Sequence, residues 1–294
     1  MVDANPSRLD RDFLKTVLAL SAKKEVARLL YVHDEPLSAD DLKGRPIKRK
    51  LLYAVTSEPM ANDLREKGFA AVLIPPYDYA RIERIKVAVV SGLTSGQLGE
   101  GQVILAATGL NHTVDTLVKM KLGSDFDDRV SVDALDLSEE FHGQVVETLL
   151  GLALGIGHDG FEGHPIGTLI VIGDSISVME KSRQLTINPF QGISESERNV
   201  LDPRIREAIR NFSVLDGAFV VREDGVVMAA GRYLQAATDD VKVPLGLGAR
   251  HTAAAAITHE TKAISITVSQ TSGSVRVFRD GHIAVELHQP ARRM

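Results

Sequence analysis

Between residues 51 and 109, short apolar runs alternate with helical segments. In order they are LLYAVTS (51–57), PMANDLREKG (59–68), FAAVLIPP (69–76), a helical stretch within 77–98 that carries KVAVVSGL, and GQVILAATG (101–109). Strands and helices alternating at this spacing predict a small α/β layer with a mostly parallel sheet. Gly68 supplies a C-terminal stop for the helix before it, and Pro75 and Pro76 end the second strand. Ahead of the layer, Phe13, Val17, Leu20, Val26, Leu29 and Leu30 fall near helical spacing, which predicts one amphipathic helix over 10–33. The basic run Lys43, Arg45, Lys48, Arg49 and Lys50 reads as a solvated loop leading into the strand at 51.

The acidic stretch KLGSDFDDRVSVDALDLSEE has no sustained apolar period, and a domain boundary is placed inside it. The expected division is residues 1–130 and 131–294. Asp136 and Glu139 have the spacing of a capping box. The helix they start carries Phe141, Val145, Leu149, Leu152, Ala153 and Ile156 on one face, and ends in the glycines of GIGHDG (155–160). A strand follows at 166–173, then a long polar connection at 174–201. Asp202 and Pro203 suit N-cap and N1 of a helix whose stripe is Ile205, Ile209 and Phe212. SVLDGAFVV (213–221) reads as a strand that turns back through REDG into VVMAA. A helix at 251–258, a strand at 263–269 and a hairpin around Asp280-Gly281 complete a mixed β-sheet flanked by helices.

Composition removes several classes of function. The chain has no cysteine, so disulfides, thiolate zinc sites and cysteine nucleophiles are excluded. No apolar run approaches the roughly 20 residues that span a bilayer, and MVDANPSRLDRDFLK has no apolar signal core. The cytoplasm is the expected location. There is no Trp, and aromatics make up 5% of the chain, which disfavours a stacking platform for single strands. Up to residue 130 there are 19 basic and 18 acidic residues, and beyond it 15 and 21. Neither half carries the positive excess of a broad nucleic-acid surface, although a small phosphorylated ligand needs only a few local donors.

Among local motifs, GIGHDG matches G-x-G-x-x-G, but a helix precedes it and a strand follows, the reverse of the dinucleotide fingerprint. It reads as a helix end with turn glycines. His158, Asp159 and His164 lack regular ligand spacing, and the sequon Asn111-His112-Thr113 has no meaning without secretion. Three segments carry more. Asp216-Gly217-Ala218 sets a carboxylate among Val214, Leu215, Phe219 and Val220, which is costly unless the carboxylate is paired or ligates a metal. The glycine permits close approach, and a plain turn or bulge remains open. Gly246 to Thr252 (GLGARHT) feeds a helix start, where free N–H groups and a positive dipole end meet Arg250, His251 and Thr252. That suits a triphosphate, with simple capping as the bland alternative. Ser269-Gln270-Thr271-Ser272-Gly273 is a polar turn after a strand.

In this order, GHPIGTLIVIGD, NPF (188–190), LDGAFVV, GRYL (231–234), GLGARHTAAAAIT and the 269–273 turn resemble the diadenylate cyclase domain over roughly residues 135–288. Asn188-Pro189-Phe190 and the preceding α/β unit look like the archaeal-type members. Residues 10–125 resemble, at the level of pattern, the C-terminal domain of pyruvate kinase. The resemblance implies synthesis of cyclic di-AMP from two ATP molecules with release of pyrophosphate. It implies Asp216 as ligand of Mn²⁺ or Mg²⁺ near the attacking 3′-hydroxyl, with Gly217 and Ala218 completing that motif. Arg250, His251 and Thr252 would hold phosphates with Gly248 and Ala249, Tyr233 and Leu234 would contact adenine, and Ser269 would lie near the phosphates. Since one domain binds one ATP in this family, a face-to-face homodimer is implied, with neither nucleic acid nor membrane as a partner. The family often has RHR where this chain has Thr252, and S-E-E-T-G where it has Gln270 and Thr271. These departures motivate an alternative, a catalytically weak or inactive nucleotide-binding regulatory module. A metabolic enzyme with its site in the N-terminal half is a further alternative, but that half lacks a phosphate loop or a catalytic set.

Overall fold

Residues 28–32, Arg-Leu-Leu-Tyr-Val, form the central strand of the first sheet and not the end of a helix. The computed structural model describes residues 7–99, 101–110, 113–122, 143–237, 241, 243–244 and 246–288. Contacts divide the chain into two units, Met1–Ala134 and Leu135–Met294. The first holds α1 (Arg8–Ser21), β1 (Arg28–Val32), α2 (Ala39–Leu42), β2 (Leu51–Val55), α3 (Glu58–Glu66), β3 (Ala70–Leu73), α4 (Arg81–Thr94), β4 (Val103–Thr108) and β5 (Thr116–Lys121). Its sheet order is β3-β2-β1-β4-β5. The first four strands are parallel and β5 is antiparallel to β4.

The single helix expected over 10–33 is therefore corrected to a helix followed by a strand. A capping box between Ser7 and Asp10 opens α1, which stops at Ser21. Leu29 and Tyr31 then pack with Val17 and Leu18, while Leu30 and Val32 are also buried. A strand paired on both sides buries both faces, so its apolar run is continuous and fits a helical stripe by coincidence. Part of the basic run closes helix ends and is not simply solvated. The Lys50 ammonium donates to the Lys23 carbonyl at 2.7 Å, and that of Lys48 to the Lys67 carbonyl at 3.0 Å. Basic groups at such ends also meet the negative pole of the helix.

The second unit holds α5 (Gly143–Asp159), β6 (Thr168–Ile172), α6 (Ser175–Glu180), β7 (Ser182–Gln184), α7 (Pro203–Phe212), β8 (Ala218–Val221), β9 (Val227–Leu234), α8 (Ala249–Glu260), β10 (Ile264–Val268), β11 (Val275–Arg279) and β12 (His282–Leu287). The sheet order is β12-β11-β10-β6-β8-β9-β7, parallel at β6–β8 and antiparallel at every other pair. The stretch 174–201 is corrected from a polar connection to one containing α6 and β7. Their few residues are too short to show a period. α5 runs through Gly155 and Gly157 and closes at Gly160, whose φ is +68°. Asp202 caps α7 as expected, accepting from the Arg204 amide. The Asp136–Glu139 capping box, Phe141, the boundary near 130 and Asn111-His112 lie outside the described residues. Among the described residues no helix is long and apolar enough to cross a membrane.

Pairing directions bring the Asp216 and Ser269 segments, and Tyr233 with them, to one end of this sheet. β8 begins at Ala218 beside the start of its parallel neighbour β6, and Thr168 at that start pairs with Val268, the last residue of β10. Ala218 pairs with Arg232 near the end of β9. The Asp216-Gly217 turn, Tyr233 and the Ser269 turn thus emerge together.

The last of these turns is seated on α5. A Cβ added at Gly157 would lie 2.2 Å from the Gly273 carbonyl oxygen. Replacing a helical glycine by alanine ordinarily stabilises by about 0.5–1 kcal/mol. Here the intrusion into backbone reverses the sign, since overpacking costs about 1–3 kcal/mol. Gly157→Ala is expected to lower the thermal midpoint, whereas an increase would show that the 269–273 turn can yield.

Candidate active site

Asp216 does not sit inside an apolar strand, as its neighbours in sequence suggest. It lies in the turn before β8, with its side chain 79% exposed. The expected burial cost is corrected: exposure leaves the carboxylate hydrated. Gly217 does make the close approach. Its φ is +104°, and a Cβ there would lie 2.6 Å from the carbonyl carbon of Gly231. Gly231, at φ +66°, is in turn crowded by the Thr186 hydroxyl. The Gln184 amide holds this place by donating to the carbonyls of Ala230 (2.6 Å) and Gly231 (3.2 Å). Asn188 Oδ1 accepts from the amides of Phe190 and Ala230, both at 3.1 Å. The Asn-Pro-Phe segment is thus a clasp on β9, with Phe190 buried edge-on to Phe212.

Beyond Gly231, Arg232 is anchored by its guanidinium to Ser182 Oγ, the Ser182 carbonyl and the Met179 carbonyl. Tyr233 is left 50% exposed, with the Arg183 guanidinium 4.8 Å from its ring centre. Leu234 turns into the hydrophobic cluster with Ala218, Ala254 and Phe278. The exposed ring in GRYL is therefore that of Tyr233, with the Arg183 guanidinium over one face.

The glycine-rich segment leads into α8 with Gly248 as N-cap and no side-chain cap, so the first N–H groups of the helix keep donor capacity. Gly248 and Ala249 are exposed, and Arg250 and Thr252 are half-buried. Arg250 Nη2 lies 3.3 Å from Asp216 Oδ1, which joins the two principal segments directly. An ion pair this exposed contributes at most about 1 kcal/mol, so either member can exchange its partner for a ligand at small cost.

His251 points the other way. It is 6% exposed, edge-on to Phe278, with Nε2 3.2 Å from Arg276 Nη1. Burial first, and then the neighbouring Arg276 charge, push its pKa down to about 4. The ring is neutral at pH 7. Ser269 is half-buried, and its carbonyl accepts from the Gly273 amide at 2.9 Å, closing the turn. Gln270 and Thr271 are exposed on it.

Sequence reading passed over Arg276, Glu286 and Gln184. Arg276 occupies an outward-looking position in the alternation Val275-Arg276-Val277, yet its side chain is 11% exposed and paired with Glu286. A buried charge in an alternating strand gives no signal without the helix that covers it. Among the described residues no cluster of three or more His, Asp or Glu side chains could hold a metal. Asp159 is engaged by Arg210 and His158. A separate open groove of about 590 Å³ lies between α5 and α7, apart from these segments.

Residues 156–283 match the family described as DisA bacterial checkpoint controller nucleotide-binding. A curated diadenylate cyclase of Methanocaldococcus jannaschii is 35% identical over 224 residues, covering 75% of this chain and 71% of that protein. A second, from Haloferax volcanii, is 33% identical over 210 residues, 71% of this chain and 76% of that protein. The 224 matched residues exceed the 160 of the second unit, so the similarity extends into the first. Among solved structures, a double mutant of DacA from Staphylococcus aureus has 24% identity and a TM-score of 0.33, covering 49% of this chain and 86% of that one. A hypothetical membrane spanning protein from Bacillus cereus has 17% identity and a TM-score of 0.37, covering 52% and 66%.

The buried His251 makes a stability prediction. An unfolded histidine titrates near roughly 6.5, and the folded one near about 4. Between these values the unfolded state binds more protons, so stability is full above the upper value and falls as pH drops toward the lower. Denaturation midpoints followed from pH 7 to pH 4 are expected to fall less steeply in His251→Asn. Equal slopes would mean that another group accounts for the acid sensitivity.

Proposed function

The chain belongs to the diadenylate cyclase family, and on that premise we propose that the sheet end where Asp216 and Arg250 meet is its active site. The enzyme makes cyclic di-AMP from ATP. The 3′-hydroxyl oxygen of one ATP bonds to the α-phosphorus of another, the bond to pyrophosphate breaks, and the hydroxyl proton is lost. A second transfer closes the ring and releases a second pyrophosphate.

The observation that carries the assignment is the 3.3 Å contact between Arg250 and Asp216. It puts a guanidinium, a group whose geometry suits phosphate, beside the carboxylate at the mouth of an uncapped helix. In the proposed arrangement Arg250 and Thr252 bind the triphosphate with the backbone amides of Gly248 and Ala249. Ser269 borders the phosphates from the neighbouring turn. Tyr233 offers its ring to the adenine, while Leu234, buried in the core cluster, anchors this end of β9 and is not itself open to the base. Gly217 and Ala218 keep the backbone low enough for Asp216 to face the substrate.

A divalent metal, Mn²⁺ or Mg²⁺, fits this donor set in one way. Mg²⁺ is commonly held by one or two carboxylates plus substrate phosphates and water, and Asp216 is one exposed carboxylate beside the proposed phosphate site. When bound, the ion neutralises phosphate oxygens and favours the alkoxide form of the attacking hydroxyl. Asp216 would hold it, and Arg250 would shift from the carboxylate to the phosphates.

One domain presents one Asp216 and one helix mouth, while the product contains two nucleotides. A two-fold dimer with active sites opposed supplies the second set. Residues 1–130 are read as a separate α/β domain similar to the C-terminal domain of pyruvate kinase, supported by its mostly parallel sheet, and residues 131–294 as the cyclase domain. The cytoplasm suits an ATP-consuming enzyme of this kind. Thr252, Gln270 and Thr271 do not favour an inactive module, since the relatives matched over most of the chain are cyclases.

Purified protein incubated with ATP and Mn²⁺ or Mg²⁺ is expected to yield cyclic di-AMP by product mass. Asp216→Asn should keep the fold and lose activity by roughly a hundredfold or more, the size seen when one group that stabilises transition-state charge is removed. Undiminished activity would take Asp216 out of the mechanism. Specific activity should also fall on dilution as dimers dissociate, and a rate per subunit independent of concentration would count against the opposed pair.

A further inference from the structure

We propose that Arg276 and Glu286 are positioning residues, which fix the His251 imidazole and with it the first turn of α8, where the main-chain donors face outward. This rests on the reading of that helix mouth as the triphosphate site. Arg276 stands on β11, with Nη2 on Glu286 of β12 and Nη1 3.2 Å from His251 Nε2. A guanidinium stays protonated and has no acceptor. The imidazole nitrogen facing it must therefore offer a lone pair, which puts the ring proton on Nδ1. The depressed pKa of the ring agrees with this neutral form.

The Gly248 carbonyl accepts from the main-chain amides of His251 (2.9 Å) and Thr252 (3.4 Å), so pinning the imidazole pins the residue that holds this carbonyl. These two main-chain donors fix the plane of the peptide that joins Gly248 to Ala249. In a trans peptide the N–H lies opposite the C=O. The Ala249 N–H is therefore directed away from the helix body, out of the helix mouth. A chain of contacts thus runs from Glu286 through Arg276 and His251 to the Gly248 carbonyl, and its far end is the orientation of a phosphate donor.

The tautomer can be read on the wild-type full-length protein at pH 7 from the side-chain ¹⁵N shifts of His251. The Nδ1–H form is expected, and either the Nε2–H form or an imidazolium overturns the proposal. Arg276→Met should then raise both the Kd and the KM for ATP on the order of tenfold, the scale of a lost charge-assisted hydrogen bond, with kcat changed by no more than about twofold. Arg276→Lys should recover part of the affinity. Unaltered ATP affinity in a folded Arg276→Met also overturns it. Should that variant fail to fold, the wild-type tautomer still decides. Affinity and tautomer are read without turnover, so the absence of cyclic di-AMP from wild type would count against the cyclase reading on its own.

Discussion

The parallel pairing of β6 with β8 governs the second unit. Every other neighbour in that seven-stranded sheet is antiparallel, and antiparallel strands can be joined by tight turns. The parallel pair cannot, so the chain between Ile172 and Ala218 must travel the length of the sheet. It makes α6, β7 and α7 on the way and re-enters at the end where β6 began. The return fixes where the Asp216-Gly217 turn lies and which other loops share its edge. Had β8 run antiparallel to β6, Asp216 would emerge at the opposite end from the Ser269 turn.

Two kinds of charged contact coexist at that edge. Asp216 and Arg250 form a hydrated pair with little energetic hold on each other. Such a pair keeps a carboxylate and a cation in register while leaving both able to turn to a nucleotide or an ion. Behind it, Arg276 is enclosed and held on one side by Glu286 and on the other by a neutral imidazole. Removing one partner there leaves a desolvated charge, which is far more expensive than breaking the outer pair. The outer contact can change and the inner one resists change, which suits an adaptable site set on a rigid support.

Much of this organisation is legible in the sequence. Alternating strands and helices in the first half, the Asp202-Pro203 helix start and the Asp280-Gly281 hairpin all rest on local chemistry, and local chemistry was sufficient for them. The segments around Asp216 and Arg250 were visible as a glycine beside a carboxylate and as glycines before a helix. What failed depended on neighbours distant in sequence. Leu29 and Leu30 read as helix because a doubly covered strand has no polar face to betray it. Asp216 read as buried because its flanking residues are apolar, whereas β8 begins only after it. β7, three residues long, exists because β9 offers it an edge. Arg276 drew no notice because its enclosure depends on α8, which lays His251 over it, and Gly157, read among the turn glycines of a helix end, is tight only because Gly273 lies against it.

The pairing of Thr168 with Val268 has a consequence for how the protein comes into being. These partners are about 100 residues apart in the chain, and β10 fills the position between β6 and β11. Contacts of such long range form slowly, because a large loop must close before any stabilisation is gained. Until β10 arrives, β6 has an open edge on that side and the Ser269 turn has no seat. The Asp216 turn can form earlier, from β8 and β9 alone. A nascent chain therefore carries Asp216, Tyr233 and Arg250 before it carries Ser269, and the site is complete only once β10 has paired with β6.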